Sequence, residues 1–425
     1  MKGGRWRRGS FLLLVVLLAL AGCQPAPAVS TIAASTATAS PNVTLAPTGT
    51  ATLRPTATLP ASTKTAQPTL TSTPLPQAVG PDTYPETINP LTGLPVSDPA
   101  MLELAPGLLS ISNSPVTTRP QAGLSYADFV YELYIGEGVT RFLSVFYGEY
   151  PPEEVGPLRS GRIPYETLRG LYRGYLVFGS ASDRVMVHLE ERNIVFGAED
   201  AEDPNTAFID PEEMKTIAAD TVNRRGTPAL SGLRFDPLPP EGGLPGEKIW
   251  VPYHYTDQVF WEYDKESGAY LRLQGDESGE QYAFSDRING EPLTKENVVV
   301  LFARHKFFDS TFFDIELTYI SRLPALIFRD GQMYEAYWTT SNEAYERATG
   351  RLRPIRFIDV EGNPFPLKNG HTWVMIVPLF TSYNETVDSY VYRELLAGNK
   401  EGSGNWAVHF QAPATGGWPT PTPPP

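Results

Sequence analysis

Apolar and polar positions divide the chain into stretches of different period. Phe11–Leu20 is one unbroken apolar run, and from residue 24 to residue 80 large apolar side chains nearly vanish. Short apolar runs return from Pro81 onward. Leu108–Ile111 reads as a short strand, Phe142–Tyr147 as a buried strand opened by Arg141, and Tyr175–Phe178 as another. Between the first two, Ser125 can cap a helix starting near Tyr126. Asp128 and Glu132 then lie one turn apart on it, and Gly136 and Gly138 end it. Further helices are expected at Pro164–Tyr172, at Asp183–Arg192 behind Ser182, and at Pro211–Arg225. The last has Asp210 as its cap, Pro211 at its first position and Gly226 after its end.

Residues 227–248 hold five Pro and four Gly and read as a linker or long loop. Beyond Lys248 the pattern turns aromatic and β-favouring: Trp250–Tyr255, Val259–Tyr263, Tyr270–Leu273, Asn297–Arg304, Phe312–Ile320, Ala325–Phe328, Met333–Trp338, Ile355–Ile358 and Thr372–Val377. Asp330-Gly331 is a hairpin turn signal. The fold class expected is α+β, with an N-terminal α/β-type domain over residues 81–230 and a β-rich C-terminal domain over residues 248–380.

Composition changes the picture at the ends of the chain. Lys2, Arg5, Arg7 and Arg8 precede the apolar run, and Leu20-Ala21-Gly22-Cys23 follows it. A run of about 10 residues is too short to cross a bilayer about 30 Å thick, so residues 1–23 read as an export signal. Its end resembles the bacterial lipobox, in which the cysteine is lipidated; Cys23 is the only cysteine of the 425 residues. Residues 24–80, rich in Thr, Pro, Ala and Ser, are expected to be a disordered tether, because they cannot bury enough surface to offset ordering. Residues 412–425 form a Pro-rich tail of the same kind. The expected location is extracytoplasmic, on the membrane through Cys23. A formal net charge of −14 argues against nucleic acid as a partner, and a single cysteine excludes a disulfide framework.

Candidate chemistry concentrates in residues 113–162. Gly156-Pro-Leu-Arg-Ser-Gly-Arg162 precedes a helix, and backbone N–H groups, a Ser hydroxyl and two Arg suit an anion. The same arginines can instead pair with Asp128, Glu132 or Glu137. Asp128 and Glu132 can divide acid and base roles, or serve as a solvated face or as arginine partners. Ser160 is a conceivable nucleophile without a base near it in sequence. His188, His254, His305, His371 and His409 are scattered, and HExxH, GxSxG and Walker patterns are absent, so no metal site and no cofactor are expected. Trp250, Tyr253, Tyr255, Trp261 and Tyr263 either stack on sugar rings or pack as core.

Asn89–Pro95, the Arg119–Asp128 run, Thr140-Arg141-Phe142 and Gly156–Arg162 together resemble the YerB-like bacterial lipoproteins (DUF3048). Tyr263-Asp264 through Arg272, Asn297–Val300, Gly331 and Gly370–Trp373 are similar to that family's C-terminal domain. The resemblance implies a two-domain architecture and an envelope location, and it implies no reaction. The chain departs from the family at Ser112-Asn113, which keeps only the Asn, at Pro204-Asn205-Thr206-Ala207-Phe208, which lacks a His, and at Gly179-Ser180. The reading is a binding or structural module rather than an enzyme. Its expected ligand site is formed by Asn113, Arg119, Gln121, Asp128, Glu132, Arg141, Arg159, Ser160 and Arg162, and takes an anionic or sugar-like wall component. The alternatives are a cell-wall-polymer hydrolase using Asp128 or Glu132, and a protein-interaction scaffold.

Overall fold

The structure, a computed structural model, describes residues 77–189, 194–195, 203–275, 280–341, 343–387 and 399–413. The export signal, Cys23, nearly all of the tether and nearly all of the C-terminal tail lie outside the described residues.

In chain order the principal elements are β1 (Gly107–Ser112), β2 (Phe129–Tyr134), β3 (Thr140–Phe146), α1 (Ile163–Tyr172), β4 (Tyr175–Phe178) and α2 (Pro211–Arg225). They continue with β5 (Lys248–His254), β6 (Asp257–Asp264), β7 (Ala269–Gly275), β8 (Asn297–Ala303), β9 (Leu323–Arg329), β10 (Gln332–Thr339), β11 (Thr372–Pro378) and β12 (Asn405–His409). The protein is β-rich, and α1 and α2 are the longest helices among the described residues.

One large sheet runs in the order β10-β9-β8-β11-β2-β3-β1-β4, with Arg356–Ile358 beyond β10 and Ile194–Val195 beyond β4. β11 comes from the C-terminal half of the chain. It lies parallel to β8 on one side and parallel to β2 on the other, with Phe129 opposite Thr372 and Glu132 opposite Met375. The two halves of the sequence thus share a sheet. A second sheet orders β7-β6-β5-β12, again with a parallel pairing, between β12 and β5.

The stretch expected as a helix from Tyr126 is a strand. A single 3-10 turn at Leu124–Tyr126 follows Gly123, and Phe129–Tyr134 is β2, with every residue buried. A spacing of four residues fits a helix, but it also fits a period of two. β2 lies between β3 and β11, so both edges of its backbone are hydrogen-bonded, and that pairing outweighs the cap at Ser125. Gly136 and Gly138, at φ 98° and 77°, close the β2–β3 turn. A Cβ on Gly136 would lie 1.8 Å from the Ser310 carbonyl oxygen.

α2 runs as expected: the Asp210 side chain accepts from the Glu212 N–H, and Gly226 takes φ 75° while its N–H reaches the Val222 carbonyl. Asp330 and Gly331, at φ 55° and 71°, turn β9 into β10. Asp183–Met186 is helical, but residues 187–189 turn away from it, so the helix is shorter than expected; residues 190–192 lie outside the described residues. The proline-rich 227–248 segment is not free of pairing: Arg234–Phe235 pairs with Pro366–Leu367, and Leu244–Pro245 with β10.

Candidate functional site

Register in the large sheet decides how the candidate residues are grouped. Glu132 stands opposite Phe142, whereas Arg141 stands opposite Leu133 on β2 and Ser112 on β1. Successive side chains of a strand point to opposite faces. Glu132, Phe142 and Thr140 therefore share one face, and Arg141 and Ser110 project from the other. The residues expected to form one ligand site fall into separate environments.

On the first face, Glu132 is fully buried and accepts three donors: Thr140 Oγ1 at 2.9 Å, Trp373 Nε1 at 2.9 Å and Arg272 Nη2 at 3.1 Å. Arg272, also fully buried, gives Nη1 to Gln274 Oε1 at 3.1 Å. Its guanidinium lies 4.2 Å from the Phe284 ring, 5.0 Å from Trp373 and 5.4 Å from Phe142. Gln274 continues to Asp257 Oδ1 at 2.9 Å, and Asp257 Oδ2 accepts from the Thr140 N–H at 3.0 Å. Asn113 gives its Nδ2 to Thr140 Oγ1 at 2.8 Å and receives Arg119 Nε on its own Oδ1 at 3.1 Å. Arg119 then reaches the Tyr282 hydroxyl at 2.7 Å, where the network meets solvent. Gln121 is buried beside it and donates to the Ser112 carbonyl at 2.7 Å. Burial pushes the Glu132 carboxyl up and the Arg272 guanidinium down, and their ion pair opposes both shifts.

Asp128 belongs to neither group. It is buried just before β2, accepts Asn89 Nδ2 at 2.6 Å and the Tyr147 N–H at 2.7 Å, and ties the Asn89 turn to the end of β3. Burial raises its carboxyl to about 8 against the pull of those donors and of Lys295. Lys295 is itself buried, with its ammonium on the Leu124 and Ala127 carbonyls at 2.9 and 3.0 Å.

On the second face, Arg141, Arg159 and Arg162 gather about Ser160. Arg141 is 7% exposed and gives Nη1 to the Ser160 carbonyl at 3.1 Å. Arg162 gives Nη1 to the Gly161 carbonyl at 2.9 Å. Ser110 Oγ also donates to the Ser160 carbonyl, and the hydroxyls of Ser160 and Ser180 meet at 3.1 Å. Among the described residues the Arg141 and Arg162 guanidiniums thus meet neutral carbonyl acceptors. Among the described residues none of Arg141, Arg159 and Arg162 has a carboxylate within ion-pair distance, and their three Nε atoms are buried without a partner there. Burial, then Arg162 and Arg159, lowers Arg141 to about 9, which leaves it charged at neutral pH. Arg162 is also the residue before α1; no side chain caps this helix start, so its positive end adds to the field. Asp128 and Glu132, which could have paired with these arginines, are held elsewhere.

The sequence reading missed Arg272, Gln274, Asp257 and Lys295 as site residues. Tyr270, Arg272 and Gln274 do alternate with Leu271 and Leu273 on β7, and the polar members follow the buried parity set by Tyr270. That alternation was the available signal. Of the aromatic residues considered for stacking on sugars, Trp250, Tyr253 and Trp261 are buried core, Tyr263 is half-buried and Tyr255 is exposed. Among the described residues no group of three His, Cys, Asp or Glu side chains converges as a metal site, and no helix is long and apolar enough to cross a membrane.

Residues 91–221 match the N-terminal domain of a family described as protein of unknown function, DUF3048, and residues 249–374 match that family's C-terminal domain. The chain belongs to the DUF3048 family. It is similar to YerB of Bacillus subtilis (strain 168), provisionally named a lipoprotein, at 28% identity over 314 residues, or 70% of this chain and 88% of YerB. The crystal structure of YerB protein from Bacillus subtilis aligns with a TM-score of 0.52 at 26% identity, over 68% of this chain and 96% of that one. In this member of the family, the β2–β11 pairing and the Glu132–Arg272 ion pair join the two matched segments.

Proposed function

We propose that this chain is an exported, lipid-anchored binding module of the bacterial envelope, and that the Arg141–Arg159–Arg162 cluster takes an anionic group of an envelope component. The observation that carries the reading is a set of three guanidiniums with no carboxylate at ion-pair distance among the described residues, in a chain of net charge −14. Taking charges out of water costs several kcal/mol per ion, and like charges add to that cost. A bound oxyanion offsets both, and Arg forks suit phosphate or carboxylate oxygens. The sequence ending in Cys23 and the provisional naming of YerB support the location. Asp128 and Glu132 play no catalytic part in this reading, because both carboxylates are closed off in the interior.

Sedimentation with anionic wall fragments tests the reading. The wild-type chain should pellet with them, and Arg159→Ala/Arg162→Ala should stay in solution. Equal pelleting by both would end it.

A further inference from the structure

Far along the large sheet from this cluster, a cavity of about 340 Å³ opens beside the Arg356–Ile358 edge strand. Arg353, Arg356, Ser321, Ser341, Gly232 and Asp82 are among its lining residues. Arg353 and Arg356 are each only 5% exposed. The Arg353 guanidinium lies 4.2 Å from the Tyr345 ring centroid, and its Nε is buried without a partner. Arg356 gives Nη1 to the Pro354 carbonyl at 3.0 Å. Among the described residues neither arginine has a carboxylate within ion-pair distance. Asp82 and Glu346 are the acids in the neighbourhood; Asp82 is exposed, and one Glu346 oxygen is buried without a partner of its own.

The wall is built for close approach. Gly232 takes φ +123°, and a Cβ there would meet Arg356 Cδ at 2.2 Å. The Thr339 hydroxyl is engaged locally, donating to the Ile320 or the Ser341 carbonyl and accepting from the Ser341 N–H, but the Ser321 and Ser341 hydroxyls donate to no group among the described residues. The cavity therefore presents two guanidiniums and two hydroxyls from three separate segments. Donors arriving from several directions fit a tetrahedral oxyanion better than a planar one.

We propose that this cavity is a second ligand site, for a phosphate group held by Arg353 and Arg356 with Ser321 and Ser341 as hydroxyl donors. Its volume exceeds that of free phosphate and leaves room for a small attached group. The site shares no residue with the Arg141 cluster and does not depend on it.

Titration calorimetry on the full chain, with inorganic phosphate and glycerol phosphate as probes at fixed ionic strength, tests the assignment. Arg159→Gln/Arg162→Gln should keep one phosphate per chain, because it leaves the cavity untouched. Adding Arg353→Gln/Arg356→Gln to that variant should weaken the binding at least tenfold. Tighter binding of glycerol phosphate than of phosphate identifies a monoester site; equal binding identifies a site for free phosphate. No phosphate bound by Arg159→Gln/Arg162→Gln would overturn the proposal, and it would do so whether or not the Arg353 variant folds. Unchanged affinity in a folded chain carrying all four substitutions would overturn it too, and would leave Arg353 and Arg356 balanced by Asp82 and Glu346 at a distance.

Discussion

The two faces of the large sheet treat buried arginine in opposite ways. On one face Arg272 is closed in by Glu132, Gln274 and three aromatic rings. On the other, nine residues along the chain from Glu132, Arg141 donates to the Ser160 carbonyl and lies beside Arg159, Arg162 and the Tyr165 phenol. A third buried base, His305, takes neither course. Its Nδ1 lies 3.0 Å from the Ala303 carbonyl and its Nε2 has no partner, and burial lowers its pKa to about 4, so it stays neutral. A fold can pair a buried base, discharge it, or leave it charged for something outside the chain. Only the third course implies a ligand, and that contrast gives the Arg141 cluster its weight.

The comparison breaks first at the closed pair. Glu132→Ala should cost about 3–5 kcal/mol in chemical denaturation, because it leaves Arg272 buried and unpaired. Glu132→Leu with Arg272→Met should recover most of that loss, since an apolar pair of similar volume removes both desolvation costs. If the single and double variants were equally unstable, the pair would not be the source of the effect.

His305 sharpens the middle case through pH. Its folded pKa lies below its unfolded value near 6.5, so below pH 6.5 the unfolded chain binds the extra proton. The resulting stability is complete above pH 6.5 and is lost as pH falls toward 4, by up to about 3 kcal/mol across that window. Replacing His305 with Leu should remove this share of the slope between pH 6.5 and 4, read from urea midpoints. An unchanged slope would show that His305 does not carry it; Asp128, whose raised carboxyl acts in the opposite sense across the same range, offsets part of the slope in both chains.

The open cluster gives the smallest change in basal stability. Arg159→Gln/Arg162→Gln removes like-charge repulsion and no ion pair, so the midpoint without phosphate should hold within about 1 kcal/mol. A loss of several kcal/mol would show that these arginines serve the fold instead of a ligand.

Much of this was legible in the sequence where local chemistry and tertiary packing agree. Asp210, Pro211 and Gly226 mark both ends of α2, and Asp330-Gly331 marks its hairpin because both positions need positive φ. Gly156–Arg162 stood out as an anion candidate from its turn and its two arginines. β2 was misread because Asp128 and Glu132, four apart, satisfy both periods, and a strand buried on both faces carries no alternation. The insertion of β11 beside β2 and the Glu132–Arg272 pair, 140 residues apart in the chain, depend on register and could not be seen locally. What singles out Arg141, Arg159 and Arg162 is which carboxylates do not reach them, and only the folded chain shows that.

The most direct measurement is the thermal midpoint of the full chain in phosphate and in chloride at equal ionic strength, for wild type, Arg159→Gln/Arg162→Gln and Arg353→Gln/Arg356→Gln. Phosphate at a hundred times its dissociation constant stabilises a site by about 2.7 kcal/mol. The account predicts that wild type gains most and that the Arg159 variant loses the share belonging to the Arg141 cluster. An identical phosphate response in wild type and Arg159→Gln/Arg162→Gln would contradict it.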